Sequence, residues 1–160
     1  MTPDEKIKEL KLVLPAPLKL PANVALPFSW VRWRGDRAFI SGHIPLNADG
    51  SIYEPTGKVG SEVTIEQAYQ AARHTGLAIL SSLKRELGSL DSISAWLRVF
   101  GMINVSPGFV QTPSVINGFS DLIIEVFGKE RGDHCRSAVG MAELPFHAAV
   151  EIEAEVEISS

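Results

Sequence analysis

The chain has 160 residues, 45% hydrophobic and 21% charged, with a formal net charge of -4 and a pI near 5.6. This suits one domain with its own core, and the scattered Lys and Arg of an acidic chain argue against a nucleic-acid partner. No run of 18 apolar residues spans a membrane, the polar start MTPDEKIKEL is no signal peptide, and the single Cys135 excludes an internal disulfide or thiolate metal cluster, so a cytoplasmic protein is expected.

Thr2-Pro3-Asp4-Glu5 reads as a helix start, with Thr2 as N-cap and Glu5 closing a capping box, and Lys6 to Val13 is expected to continue as a short amphipathic helix. The proline-studded arm LPAPLKLPANVALP can form neither a helix nor a central strand, and its apolar content predicts that it packs down along the surface. From Phe28 the pattern turns to β: FSWVRW, a turn at Arg34-Gly35-Asp36, then RAFISGHIPLN as a hairpin partner, with the next turn at Asn47-Ala48-Asp49-Gly50. A further short strand is expected before Thr64-Ile65-Glu66-Gln67, a second capping box. The helix it opens carries Ala68, Ala71, Ala72, Thr75, Ile79, Leu83 and Leu87 on one stripe and ends at Gly88. SISAWLRVFGMINV is a strand, Ser106-Pro107-Gly108 a turn, and Thr112-Pro113 the start of a helix that Gly128 should stop. Arg136 to Ala142 and Ala148 to Ile158 read as two last strands. The order predicts an α+β layer architecture, two helices on one face of a mostly antiparallel sheet, in a single domain over 28–160 preceded by the helix and arm of 1–27.

The last strand alternates strictly, with Val150, Ile152, Ala154, Val156 and Ile158 on one face and Glu151, Glu153, Glu155 and Glu157 on the other. The apolar set belongs under the helices, and the row of like charges needs water or cations beside it. A hairpin between the last two strands would bring Glu151 into the region of Arg136.

No HxH, HExxH, GxSxG, GxGxxG or Walker A pattern occurs, and His43, His74, His134 and His147 lie far apart. No metal site or nucleotide is therefore expected. His74 reads as a surface or packing residue, His147 as part of a turn, and His43, directly after Ser41-Gly42, could line a pocket at a strand end. The two tryptophans of WVRWRGDR could stack on bases, but RGD there reads better as a turn. Cys135 reads as a small buried hydrophobe beside a strand in preference to a nucleophile. Arg136 stands at the head of the small, apolar stretch CRSAVGMAELP. Burying an unpaired guanidinium is costly, so it needs an anion: either Glu151, fixing strand register, or the carboxylate of a ligand.

Taken together, FISGHIPLN, NVSPGFVQTPSVINGFSDLIIEVFG, RSAVGMAELP and AAVEIEAEVEI resemble the Rid family of reactive intermediate deaminases, also called the YjgF family and historically labelled endoribonuclease L-PSP. The likeness runs from about Phe28 to the C-terminus, and the N-terminal helix and arm resemble a chorismate-mutase-like subgroup. The resemblance implies a chorismate-mutase-like fold assembled as a homotrimer, with three sheets around a central barrel and ligand clefts between subunits. It implies cofactor-free hydrolysis of small 2-imino or enamine acids to 2-keto acids and ammonia. By position, Arg136 matches the arginine that clamps the substrate carboxylate and Glu151 the acid that orients the attacking water. Ser41 and Gly42 match the strand lining the cleft, and Asn117 a polar residue at its rim. Three positions depart from the family pattern: Ala138 stands where cysteine is usual, Phe28 where a tyrosine packs over the substrate, and His43 where glutamine is usual. The clamp survives these changes, so a non-catalytic trimer that binds a carboxylate metabolite stands beside the hydrolase, with an endoribonuclease third because the chain is acidic.

Overall fold

The computed structural model describes residues 1–159. Its first element, α1 (Pro3–Glu9), begins with the expected capping box: Thr2 Oγ1 accepts from the Glu5 amide, and Glu5 accepts from the Thr2 amide at 2.9 Å. The helix ends sooner than the expected Val13. Pro15 forbids continuation through the preceding turn, and Lys11 takes a left-handed conformation (φ 54°) while the Leu12 amide reaches back to the Ile7 carbonyl. Asp4 anchors α1, bonding Lys84 and Ser89.

The proline arm packs down as its composition predicts. The Ala16 amide donates to the Ala48 carbonyl, the Lys19 amide donates to the Gly50 carbonyl, and Ser81 donates to the Pro15 carbonyl. It thus lies between the Asn47–Gly50 turn and the second helix.

Strands β1 (Val31–Arg34) and β2 (Arg37–His43) form the expected hairpin around Gly35, whose φ of 60° suits the tight turn. The short strand expected between β2 and the next helix does not form; Leu46 and Ile52 make only an isolated bridge there. Helix α2 (Ile65–Leu87) opens on the Thr64/Gln67 capping box, ends at Gly88, and buries the expected stripe from Ala68 to Leu83. Strand β3 (Ile93–Asn104) leads to α3 (Thr112–Gly132). Gly128 does not stop α3: it kinks it (φ 74°), and one more turn follows. The chain ends with β4 (Cys135–Met141) and β5 (Val150–Ile158).

The sheet order is β1-β2-β5-β3-β4, antiparallel except for the β3/β4 pair. That parallel pair arises because α3 crosses over between its strands. Both long helices cover one face. Trp96, Phe119, Ile79, Leu83, Leu122 and Ile152 are fully buried between the layers, and Trp96 packs edge-on against Phe119 and Phe127. The helices approach closely because Gly118 lies against the Tyr69 carbonyl, where a side chain would collide. In β5 the apolar set Val150, Ile152, Ala154 and Val156 is buried, leaving the four glutamates on the helix-free face. Part of that charge is answered there, by Arg37 against Glu155 at 3.2 Å and by Ser94 donating to Glu157 at 2.7 Å. Among the described residues no helix is long and apolar enough to cross a membrane.

The expected β4–β5 hairpin does not form. β3 lies between the two strands, so Arg136 pairs with Val99 while Glu151 pairs with Met102. Two strand spacings and three residues of register separate their Cα atoms by about 14 Å. The side chains also lie on opposite faces, Arg136 toward α3 and Glu151 away from the helices. Within one chain they do not form a pair.

Candidate functional site

The sequence-predicted residues fall into two groups, one at each side of the sheet. The first is built on the edge strand β4 and the exposed start of α3. Pro113, Asn117 and Ser120 stand at helical spacing on the α3 face that looks toward β4. Arg136 donates from Nη1 to Ser120 Oγ at 2.9 Å, and from Nη2 to Asn117 Oδ1 at 2.8 Å and the Pro113 carbonyl at 3.3 Å. Ser120 in turn meets His134 Nε2 at 2.9 Å, while His134 Nδ1 lies 2.7 Å from the Gly132 carbonyl. A carbonyl can only accept, so Nδ1 carries the proton and Nε2 accepts from the Ser120 hydroxyl. The kink at Gly128 leads into the turn that supplies this carbonyl.

Half-buried Arg136 therefore rests on three neutral oxygens, and no carboxylate of the described residues pairs with it. A guanidinium has five N–H donors, so these bonds leave two without a partner. Burial draws its pKa down, opposed by the charge of Asp121. Ala138 lies two residues along β4, packed against the core, and its carbonyl accepts from Thr112 Oγ1 at 2.9 Å. Cys135 is not the buried hydrophobe expected: at the start of the edge strand β4 it is exposed, beside Arg136, and unpaired.

The second group surrounds a pocket of about 390 Å³ walled on one side by the arm. Phe28, Gly42, His43 and Glu151 all line it. β2 is irregular between Ile40 and His43, and there Ser41 turns its hydroxyl to the Ser29 carbonyl at 2.7 Å, bracing the approach to β1. Ser41 is thus a neighbour of the pocket and not part of its lining. Glycine at position 42 gives the Glu151 carboxylate its place, because a Cβ there would run into it and push it aside. Half-buried Glu151 has no hydrogen-bond or ion-pair partner among the described residues. Burial raises its pKa, and the charge of Glu153 adds to the effect.

His43 is buried behind the pocket. Its Nδ1 lies 2.6 Å from the Ser41 carbonyl and so carries the proton, leaving Nε2 to accept from Ser82 Oγ at 2.8 Å. Burial, helped by the charge of Arg85, lowers its pKa to about 4, so the ring is neutral at physiological pH and both nitrogens are engaged. Trp30 stacks obliquely on it, 4.9 Å between centroids, and Phe28 meets Trp30 edge-on at 5.4 Å.

The structure brings Phe28, Gly42, His43 and Glu151 together around the pocket and Arg136, Asn117 and Ala138 together on the β4 edge; it does not join the two groups. The sequence reading missed Ser120, His134, Trp30, Ser82 and Arg85. Ser120 had a signal, its i+3 spacing from Asn117. Trp30, Ser82 and Arg85 had none, since they converge from distant segments. Among the described residues no cluster of three or more His, Cys, Asp or Glu side chains is placed to hold a metal.

Comparison with known proteins gives this geometry a context. Residues 11–154 match the family described as "YjgF/chorismate mutase-like, putative endoribonuclease". Protein TCP17 of Trypanosoma cruzi is 39% identical over 145 residues, covering 89% of each chain. The crystal structure of Atu1372 from Agrobacterium tumefaciens, a protein of unknown function, superposes with a TM-score of 0.86 at 39% identity, covering 98% of this chain and 92% of that one. At the level of fold alone, the likeness extends to E. coli TdcF with bound serine: TM-score 0.60, 20% identity, 91% of this chain and 95% of that one.

Proposed function

The chain belongs to the YjgF/chorismate-mutase-like family, the Rid family, and from that premise we propose that it hydrolyses 2-imino acids to 2-keto acids and ammonia without a cofactor, at clefts formed between copies of itself. The observation that carries this reading is Arg136: a half-buried guanidinium held by three neutral oxygens, with donors to spare and no carboxylate partner among the described residues. Its remaining N–H donors, one on Nε and one on Nη1, together with its charge, leave it able to hold a ligand carboxylate. Serine, the ligand of TdcF, carries such a carboxylate.

Glu151 is the complement. Its carboxylate is unpartnered, partly dry, and lies at the wall of a pocket. Because Arg136 and Glu151 of one chain lie on opposite faces, both can reach one ligand only if they come from different copies. A cyclic homotrimer does this repeatedly, setting the β4 edge of one subunit against the arm-side pocket of the next. Such packing turns the helix-free faces inward, which covers the exposed Phe39.

The reaction asks little of the protein. Arg136 holds the substrate carboxylate, and Glu151 accepts a hydrogen bond from a water and aims its oxygen at C2. The new C–O bond forms as the C=N electrons move to nitrogen, and the first water proton passes by way of the Glu151 carboxylate to that nitrogen. Collapse of the tetrahedral adduct restores C=O, breaks C–N and releases ammonia, the second water hydrogen leaving with the nitrogen. An imine is already electrophilic, so orientation in a partly water-excluded cleft supplies most of the acceleration. Phe28 would cover the substrate, as the family's tyrosine does, without a hydroxyl. Gly42 leaves Glu151 its space. His43, neutral and fully bonded, braces the bulge at Ser41-Gly42, and Ala138 opens room beside Arg136, with Asn117 holding the clamp at the rim.

The test generates an imine with an amino-acid oxidase and traps it with semicarbazide. Purified protein should divert imine from the trap, and Arg136→Ala should not. Failure to outcompete the trap, together with Arg136-dependent thermal stabilisation by a keto acid, would instead establish a carboxylate-binding protein.

A further inference from the structure

The pocket beside Glu151 is larger and more apolar than a small imino acid needs. The arm supplies Leu18, Leu20, Val24 and Leu26 as its outer wall, and Phe28 and Trp30 close one end. Three of the chain's exposed large hydrophobics converge on it: Val24 at 49% exposure, Phe28 at 52% and Phe146 at 50%. Phe146 is held there by unusual backbone. It and His147 are consecutive non-glycine residues with positive φ, 59° and 56°. Such strain persists where surrounding structure enforces it and gathers at ligand sites. Most polar groups that line the pocket are committed, although Arg85, with three bonds, keeps two N–H donors. Both nitrogens of His43 are engaged, Ser82 serves His43 and Arg85, and Arg85 itself bonds Ser81, Ser82 and the Pro15 carbonyl. Only Glu151 stands wholly unpartnered.

We propose that this pocket receives the substrate's side chain, and that the preferred substrate is a 2-imino acid with a large apolar side chain, branched aliphatic or aromatic. The inference rests on the placement of the reacting carbon beside Glu151 proposed above. A methyl side chain would touch one wall and leave the remainder of some 390 Å³ to water against apolar surface, whereas a leucine- or phenylalanine-derived group fills it. A polar side chain would lose its hydration and find few free partners. The arm, outside the expected 28–160 domain, thereby becomes the element that sets specificity.

The experiment compares imines generated from leucine, phenylalanine and alanine in the semicarbazide competition, and measures by calorimetry the binding of 4-methyl-2-oxopentanoate, phenylpyruvate and pyruvate. The large substrates should be favoured over the alanine-derived imine by about tenfold or more, since a single methylene in an apolar pocket discriminates by about that factor. Val24→Asp, at an exposed arm position, should cut that preference severalfold with unchanged melting temperature. Equal or better turnover of the alanine-derived imine overturns the substrate class and leaves the hydrolysis standing. No turnover of any imine, with the large keto acids still bound more tightly than pyruvate, overturns the hydrolysis and supports the pocket's assignment. Equal binding of all three keto acids overturns the assignment.

Discussion

Gly42→Ala isolates the relation between the β2 bulge and Glu151. The Glu151 carboxyl carbon lies 2.9 Å from where the new methyl would sit, and the next carbon back lies 3.2 Å away. Comfortable carbon–carbon contact is about 3.5–4.0 Å, so the carboxyl group must withdraw by about 1 Å. The backbone at Gly42 has no positive φ, so alanine adds no conformational strain there. A half-exposed glutamate can move at the expense of an off-rotamer angle, about 1 kcal/mol, and for a chain of this size that lowers Tm by only about 2–4 °C. The water that Glu151 aims moves with it, and a misplacement of about 1 Å costs on the order of 100-fold in rate. Imine hydrolysis in the semicarbazide competition and a thermal melt of the same sample read the two effects. The expected result is a large loss of kcat/KM with a small loss of Tm. A Gly42→Ala protein of normal activity would refute the role given to the Glu151 position.

Arg136→Lys keeps the charge but cannot reproduce the planar set of anchoring bonds that fixes the group, and kcat/KM should fall by about 10- to 100-fold in the same competition. His43 links stability to pH. Its folded pKa of about 4 lies below its ordinary value of 6.5, so the unfolded chain binds a proton first; stability from this group is complete above about pH 6.5 and falls as pH drops toward 4. The drop amounts to about 3 kcal/mol, and urea unfolding at pH 7.5 and 4.5 should show it shrink by that amount in His43→Gln. Gly118→Ala pushes a methyl into the Tyr69 backbone at the crossing of α2 and α3, and should lower Tm by about 4–10 °C in a thermal melt.

How far each feature is legible in the sequence depends on how local its cause is. The capping boxes at Thr2 and Thr64 are fixed by hydrogen bonds across three residues, and both form as expected. The alternation of 150–158 survives folding because the helices cover one face of β5 and not the other. Gly128 shows the limit of such signals: a left-handed glycine breaks the helical path, but the residues after it still coil, giving a kink where an end was expected. Arg136 and Glu151 mislead for a different reason. They lie 15 positions apart on strands that look like a hairpin, but strand order is set by non-local pairing, and β3 takes the place between them. The pocket is the least legible feature. Its walls come from the arm, the β2 bulge, α2 and the Phe146 turn, each unremarkable alone.

The central claim is that a working site takes Arg136 from one copy and Glu151 from another. Co-expression of Arg136→Ala and Glu151→Gln chains, each inactive alone, tests it most directly. In a randomly mixed cyclic assembly about one cleft in four pairs an intact Arg136 with an intact Glu151, so imine hydrolysis should return to about a quarter of the unmodified protein's rate. Mixed assemblies that form normally and remain inactive would contradict the shared site.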